Sequence, residues 1–417
     1  MRRTRSRARN EPPCRPSLRS GRRNVSADPP RPWAMLLAVT LVNLPMGSLY
    51  AFSVFLKPLE RSLGVSRSDL AIVFAAATIS FTVGMNIAPR LYRLASVPVL
   101  VAACCALSTA GLGLAAIADG LALLTIGYGV LFGIGGGAAY IMLQQGMNLM
   151  LSGRQGLVNG YIVSLYPAGA VIAAPLFGWA VAHWDVRVVM GGLGVVVAIV
   201  GVLATLLTVH ARARLAEPEA TRTAPQSPPR AAIFWRLSLV FFLAAAAGLT
   251  VLSQAAGIIT AYGASPEIAL AATTAIPAAI AAARLSGGWL VDRFAIPRVM
   301  AVAHLLSLTG AVVLSLFPQA LVSTVTLGMI GIGYGLISGS TAGAIAMYWP
   351  KTEYGRIASL LYIGWCVAAV TLPVLAGFLF DLTGGYRVAV IVAGCGNVVG
   401  AWLAFFMPPS QNPRGSS

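Results

Sequence analysis

Charged residues are scarce in this chain, and their scarcity excludes most soluble folds. Of the 417 residues, 58% are hydrophobic and only 10% are charged. A soluble protein of this length needs a much larger charged fraction to cover its surface. The composition is therefore that of a polytopic helical membrane protein, whose apolar surface faces lipid.

Acidic residues are the scarcest charged class, with 12 Asp and Glu against 29 Lys and Arg. All of them fall in the N-terminal tail, in predicted loops or near helix ends. No carboxylate is therefore evident deep in a span, where charged groups are expensive and usually functional, to couple transport to protons or sodium.

Metal-ligand and disulfide patterns are also missing. The five cysteines have no metal-ligand spacing and none lies in a predicted external loop, so we expect neither a metal site nor a disulfide framework. His304, the one histidine well inside a span, is typical of helix packing. We expect no cofactor and no enzyme activity, because the spans hold no cluster of acids, histidines or nucleophiles.

Apolar runs of about 20 residues, the length that crosses a ~30 Å hydrocarbon core, recur along the whole chain. They predict twelve spanning helices, with both chain ends on one side of the membrane. The predicted spans are residues 33–56, 69–89, 96–118, 121–147, 158–181, 187–209, 234–258, 267–291, 297–317, 320–346, 356–380 and 386–407.

The net charge of +17 suggests nucleic acid at first sight, but the placement of the basic residues indicates a membrane topology. Most Lys and Arg residues lie on the side of the chain ends, in the N-terminal tail, the segment 210–233 and short loops. The other side has only Lys57, Arg61, Arg67, Arg187 and Arg387. The positive-inside rule then predicts cytoplasmic termini in a bacterial inner membrane. We expect a lipid bilayer around the chain and no nucleic-acid partner.

An internal repeat indicates two similar halves. GYGVLFGIGGGA at 127–138 returns as GYGLISGSTAGA at 333–344, and PLFGWAVAHWDVR at 175–187 resembles PVLAGFLFDLTGGYR at 373–387. Glycines at four-residue spacing let helix backbones approach closely. Two six-helix halves with a site between them near the midplane resemble a major facilitator transporter. We therefore predict an all-α polytopic membrane protein with twelve transmembrane helices in two pseudo-symmetric halves.

The predicted organisation has five segments, because the region between the halves is polar and rich in proline, as a linker would be. They are a disordered basic cytoplasmic tail at 1–32, an N-terminal six-helix half at 33–209, a cytoplasmic linker at 210–233, a C-terminal six-helix half at 234–407 and a cytoplasmic tail at 408–417.

A loop signature predicts a gate. Major facilitators carry G-x-x-x-D-R-x-G-R-[RK] after helix 2 and often a degenerate copy after helix 8. Here GWLVDRF at 288–294 is the better copy and GMNIAPRLYR at 84–93 is the eroded one. A carboxylate near a helix end can pair with charges and neighbouring helix termini in one gating state. We predict gating roles for Asp292, Arg293 and Arg90, with a plain topogenic role as the alternative.

Arg284 is the only permanent charge that lies away from the ends of the predicted spans. It lies eight residues before Asp292, or about 12 Å along a helix, which is farther than a snorkelling side chain reaches comfortably. The sequence offers it no partner acid. The remaining alternatives are an anionic substrate in a water-filled cavity, which the planar guanidinium suits, and a structural cap on backbone carbonyls.

Several motifs resemble the branch of the superfamily that holds oxalate–formate antiporters and monocarboxylate porters. They are MGSLYAFSVFLKPL at 46–59, the Gly-rich helix 4 ending in Tyr140, RQGLVNGY at 154–161, ARLSGG at 283–288 and FDLTGGYR at 380–387. The resemblance runs from about residue 33 to residue 407. It implies that Arg284, which occupies the place of the helix-8 arginine of those relatives, binds a substrate carboxylate.

Two departures from that branch narrow the expected substrate. Oxalate carriers use a helix-11 lysine for a second carboxylate, but helix 11 here has no basic residue after Arg356 at its entry. Lactate carriers of the animal type place an acid four residues before the helix-8 arginine, and that position is Ile280 here. One buried cation favours one carboxylate, and the coupled species, a proton or a counter-anion, is left open.

Polar and aromatic side chains of the spans complete the predicted site. The candidates that could orient a carboxylate or cover its apolar end are Tyr50, Tyr140, Gln144, Tyr362 and Trp365, with helix packing as the alternative for each. We predict a secondary active transporter that moves a small organic monocarboxylate, of the lactate, pyruvate, formate or 2-oxo acid type, by alternating access. The alternative is an efflux pump for drug-like or other small molecules.

Overall fold

A computed structural model describes residues 29–215 and 231–408 as a bundle of helices, with no strand among these residues. Twelve helices are long and apolar enough to cross a membrane, which confirms the predicted fold class. They are α1 Pro32–Leu63, α2 Arg67–Leu91, α3 Val97–Ala116, α4 Leu121–Met150, α5 Gln155–His183, α6 Val186–Ala211, α7 Ala231–Ala261, α8 Glu267–Val291, α9 Ile296–Leu316, α10 Ala320–Tyr348, α11 Lys351–Thr383 and α12 Arg387–Phe405. Most of the predicted N-terminal tail, most of the linker and nearly all of the C-terminal tail lie outside the described residues.

The first helix differs from its prediction because it continues past residue 56 to Leu63. Its middle part, Gly47–Phe55, is a 3-10 helix that follows Pro45. Proline lacks the N–H that an α-helix needs at this position, which favours the change in helix type. Gly47 then lies directly against α5, since a Cβ on it would be 2.4 Å from the carbonyl oxygen of Tyr166.

Each half packs its own helices in the same way. In the N-terminal half α2 packs on α4 and α3 on α6, and in the C-terminal half α8 packs on α10 and α9 on α12. Between α9 and α12, the buried His304 Nδ1 lies 2.9 Å from Asn397 Oδ1, a contact that joins the two helices. The repeated sequence thus produces two similar six-helix groups.

The two halves meet along α5 with α8 and α10, and along α2 with α11. Glycines make the contact between α5 and α8 close. A Cβ on Gly160 would lie 2.8 Å from the Cα of Gly288, and a Cβ on Gly156 would lie 2.2 Å from the carbonyl oxygen of Gly288. Such small residues let helix backbones touch in an apolar environment, where van der Waals packing rather than the hydrophobic effect drives association.

The bundle is closed at one end. We call the end at which α6 ends and α7 begins the linker side, and the opposite end the far side. Among residues 29–215 and 231–408, the hydrogen bonds that join the halves lie at the level of Thr78 and Cys366, near mid-helix, or nearer the linker side. The linker side is therefore sealed between the halves.

The seal predicts a large difference between two glycines of α10. A Cβ on Gly339 would lie 1.8 Å from the carbonyl oxygen of Arg284, whereas a Cβ on Gly328 would meet nothing within 4 Å. We expect Gly339→Ala to lower the melting temperature of the purified protein by several degrees, as overpacking of about 1–3 kcal/mol would. Gly328→Ala should leave it unchanged, and equal shifts in the two variants would contradict the packing.

Candidate functional site

Arg284 lies at the boundary between the halves with only 4% of its surface exposed. Its Nη1 donates to the carbonyl oxygen of Val163, in the opposite half, at 2.9 Å, and its Nη2 donates to the hydroxyl of Tyr334 at 2.9 Å. Its Nε has no hydrogen-bond partner within the described parts of the chain. In this state Arg284 caps one backbone carbonyl, which fits the structural alternative in part, and it does not face an open aqueous cavity.

Tyr334 connects Arg284 to helix α11. Its hydroxyl oxygen accepts a second hydrogen bond, from Trp365 Nε1 at 3.0 Å, and the guanidinium carbon of Arg284 lies 5.3 Å from the centroid of its ring. The sequence analysis treated Tyr334 only as part of the repeated Gly-Tyr-Gly and missed it as a site residue. The repeat held the signal, because the glycines beside Tyr334 bring α10 close to its neighbours: Gly335 lies against α8 and Gly333 against α9.

Aromatic side chains from both halves surround this group. Tyr140 and Tyr362 join the halves through their hydroxyl oxygens, which are 2.9 Å apart. Trp365 packs against Tyr362 and Tyr50, with ring centroids 5.7 and 6.4 Å apart. The structure therefore brings Tyr50, Tyr140, Tyr362 and Trp365 together with Arg284.

Two further aromatic residues belong to the same cluster. Tyr166 of α5 packs edge-on against Tyr140 at 5.2 Å, and Phe81 of α2 lies 5.3 Å from Tyr166 and 6.3 Å from Trp365 between ring centroids. Aromatic pairs at such distances add to the stability of a buried cluster. The apolar Phe81 carried no signal in the sequence that separated it from ordinary packing residues.

Gln144 lies nearer the linker side than this cluster. Its Nε2 donates to the hydroxyl of Tyr354 at 2.7 Å and to Asn159 Oδ1 at 3.2 Å, which links it to the buried Asn148 and Asn159 pair. It lines a small cavity of about 10 Å³, room for about one water, together with Val163 and Tyr362. Gln144 thus lies next to the site and has no hydrogen bond to Arg284.

The predicted gating residues have different surroundings. The carboxylate of Asp292, just after α8, accepts from the backbone N–H groups of Gly156 at 2.8 Å and Leu157 at 2.7 Å, in the first turn of α5. These N–H groups have no partner within their own helix, and the helix dipole favours a negative charge there. Arg293 instead covers the ring of Trp289 at 4.1 Å. Arg90 is exposed and makes no hydrogen bond or ion pair to the described residues.

The charge of Arg284 is not balanced by a carboxylate within the described part of the chain. The ion pairs found there, Arg67 with Glu60 and Arg356 with Glu353, lie near helix ends. Burying a charge is costly unless it is paired and fully hydrogen-bonded. The site therefore combines a guanidinium that has a free donor, neutral oxygen partners and an aromatic surround, an arrangement that suits a small anion.

Twelve spans in two halves, with a buried cation on their boundary, define a membrane carrier. The chain belongs to the Major Facilitator Superfamily, whose profile matches residues 36–337 and 237–417. It is 23% identical over 350 residues to the uncharacterized MFS-type transporter YhjX of Escherichia coli K12. The aligned stretch covers 81% of this chain and 86% of YhjX.

Two further similarities concern a part of the chain and the fold. A stretch of 129 residues is 33% identical to monocarboxylate transporter 13 of Rattus norvegicus, over 30% of each protein. The structure of the proton:xylose symporter XylE, bound to 6-bromo-6-deoxy-D-glucose, superposes with a TM-score of 0.71 at 15% identity, over 91% of this chain and 96% of XylE. The XylE similarity supports the fold alone.

The contact of Asp292 predicts how a neutral variant behaves. Asp292→Asn keeps the shape but removes the charge and one acceptor, so the seal between α5 and α8 should weaken. A cysteine introduced at Ala342, which lines the small cavity, in a background without the five native cysteines, reports opening of the linker side. We expect a polar maleimide to label it several-fold faster in Asp292→Asn, and no faster in the control Asp381→Asn, which alters an exposed far-side acid. An unchanged rate in Asp292→Asn would contradict this role.

Proposed function

We propose that this protein transports a small organic monocarboxylate across a bacterial inner membrane by alternating access, with its linker side in the cytoplasm. The observation that carries the proposal is the buried charge of Arg284, held between the halves with no carboxylate partner among residues 29–215 and 231–408. The excess of Lys and Arg on the linker side supports the orientation.

The hydrogen bonds of Tyr334 support a binding mode for the carboxylate. Arg284 Nη2 and Trp365 Nε1 both donate to its hydroxyl oxygen, as they could to one oxygen of a carboxylate. In our proposal the substrate displaces this hydroxyl. One carboxylate oxygen then accepts from Nη2 and Trp365, and the other accepts from the unpartnered Nε on the same edge of the guanidinium. Such a forked contact is the geometry in which Arg binds carboxylates most strongly.

The aromatic cluster and the number of cations support a substrate that is small and has one carboxylate. Tyr50, Tyr140, Tyr166 and Tyr362 present ring faces and hydroxyls that would cover an apolar or 2-oxo tail. The nearest span lysine in sequence, Lys351, lies at the start of α11 and donates to the backbone oxygen of Leu151 at the linker side. A second carboxylate would therefore lack a cation at the level of Arg284. The name of the rat monocarboxylate transporter agrees with a substrate that has one carboxylate.

Replacement of the Arg284 guanidinium is the direct test, because alanine removes the charge and lysine keeps the charge but loses the planar fork. Arg284→Ala and Arg284→Lys, reconstituted in liposomes, should lose uptake of labelled pyruvate, lactate and formate, with apparent affinity falling about tenfold or more for each charge-assisted hydrogen bond lost. Arg298→Ala, which removes an exposed arginine of the linker side, is the matched control. Normal monocarboxylate uptake by a correctly inserted Arg284→Ala protein would rule out the proposal and favour the efflux alternative.

The same liposomes distinguish the coupled species. A pH gradient and internal formate are varied independently, because proton symport responds to the first and anion exchange to the second.

The displaced hydroxyl gives a second prediction, opposite in sign to that for Arg284. Tyr334→Phe removes the oxygen that competes with the substrate for Arg284 Nη2 and Trp365 Nε1, so the dissociation constant for the carboxylate should fall several-fold. Trp365→Phe, which removes one of the donors, should raise it. Binding measured by calorimetry in detergent checks both variants, and weaker binding in Tyr334→Phe would mean that this hydroxyl assists the substrate instead of competing with it.

A further inference from the structure

At the linker side, the starts of α5 and α11 are corresponding helix termini in the two halves, but different side chains bind them. Asp292, four residues after Gly288, binds the first turn of α5 in the opposite half. In the N-terminal copy of this loop the residue four positions after Gly84 is Ala88, so the carboxylate is missing. The terminus that lies across from this copy is the start of α11, which packs against α2.

A glutamine from another helix occupies the start of α11 instead. Gln145 of α4 is fully buried, and its Oε1 accepts from the backbone N–H of Gly355 at 2.7 Å. Its Nε2 donates to the carbonyl oxygens of Lys351 at 3.0 Å and Leu215 at 3.4 Å. The amide therefore contacts an N–H and a C=O within the first turns of α11 and also the end of the segment that follows α6.

Neighbouring contacts join the same two helices. Lys351 donates to the backbone oxygen of Leu151 just after α4, and Gln144 donates to Tyr354. In contrast, the buried amide of Asn148, one turn along α4, has all its hydrogen bonds to described residues within the N-terminal half, to Gln144 O and Asn159. Gln145 is thus an inter-half contact, and Asn148 offers a control on the same helix.

We propose that Gln145 is a gating residue, whose amide holds the start of α11 as the carboxylate of Asp292 holds the start of α5. The closed linker side then has one charged latch and one neutral latch. This inference rests on opening and closing of the linker side and is independent of the proposed substrate. The Gln145 side chain positions α11 and does not touch the site at Arg284.

Gln145 could hold α11 by the donor and acceptor of its amide, an amide latch, or by attraction to the α11 helix dipole, a dipole latch. A carboxylate at this position distinguishes the two. A carboxylate would suit the N–H of Gly355 and the positive end of the α11 dipole at least as well as an amide. However, a carboxylate can only accept hydrogen bonds. Its second oxygen would face the carbonyl oxygens of Lys351 and Leu215, where Nε2 now donates. An amide latch is therefore weakened by Gln145→Glu, whereas a dipole latch is strengthened.

The experiment uses the Ala342→Cys reporter in the otherwise full-length, cysteine-free protein, labelled with a polar maleimide at neutral pH without substrate. We expect labelling several-fold faster in Gln145→Ala and in Gln145→Glu than in the parent, and an unchanged rate in Asn148→Ala. Lower pH slows the thiol–maleimide reaction in every variant because less thiolate is present, so each rate is divided by the parent rate at the same pH. This ratio should fall towards one for Gln145→Glu at lower pH, because a protonated carboxyl regains a donor.

Other outcomes would overturn the latch. They are an unchanged rate in Gln145→Ala, an equal increase in Asn148→Ala, or slower labelling in Gln145→Glu than in the parent. Because no substrate is present, these results are independent of whether monocarboxylates are transported. Melting temperatures measured in parallel show that each variant is folded, and Gln145→Glu tests the latch even if Gln145→Ala is unstable.

Discussion

The buried guanidinium of Arg284 is the constraint on which the centre of this protein depends. A permanent charge near the middle of a membrane helix is expensive, and the described residues supply it with neutral oxygens only. Because one of these oxygens belongs to Val163 in the opposite half, the charge stabilises contact between the halves. Because the other belongs to Tyr334, it also connects α8 to α10 and, through Trp365, to α11.

Close helix packing makes these hydrogen bonds possible. Gly160 and Gly339 bring α5 and α10 against the backbone of Arg284, since a Cβ on either would lie within 3 Å of its carbonyl oxygen. Larger residues there would hold the helices apart, and the guanidinium would not reach Val163 at 2.9 Å. The same seam of small residues continues to Gly156 and Gly288 at the linker side, so the seal and the site share one helix interface.

The two ends of this interface have different chemistry. Arg284 is charged and incompletely hydrogen-bonded, whereas nearer the linker side Asp292 satisfies the start of α5. Gln145 satisfies the start of α11 at the separate contact between α4 and α11. In the proposed mechanism, a ligand that completes the hydrogen bonding of Arg284 shifts the equilibrium between transport states without contacting Asp292 or Gln145. A transition between states needs such differential interactions, because a ligand shifts an equilibrium only by binding one state better.

The sequence by itself determined the number of helices, their approximate bounds, the two halves and the position of Arg284 inside a span, because apolar run length, a repeat and one charge deep in a span are local signals. It also indicated that Asp292 would meet a helix terminus. Only the tertiary structure decided that Tyr334 links Arg284 to Trp365, that Gln144 belongs to a separate polar group, and that Gln145 binds the start of α11. These contacts join residues that are 31 to 210 positions apart. Their partners depend on how tightly the glycine-lined helices pack, and no periodicity in the sequence records that distance.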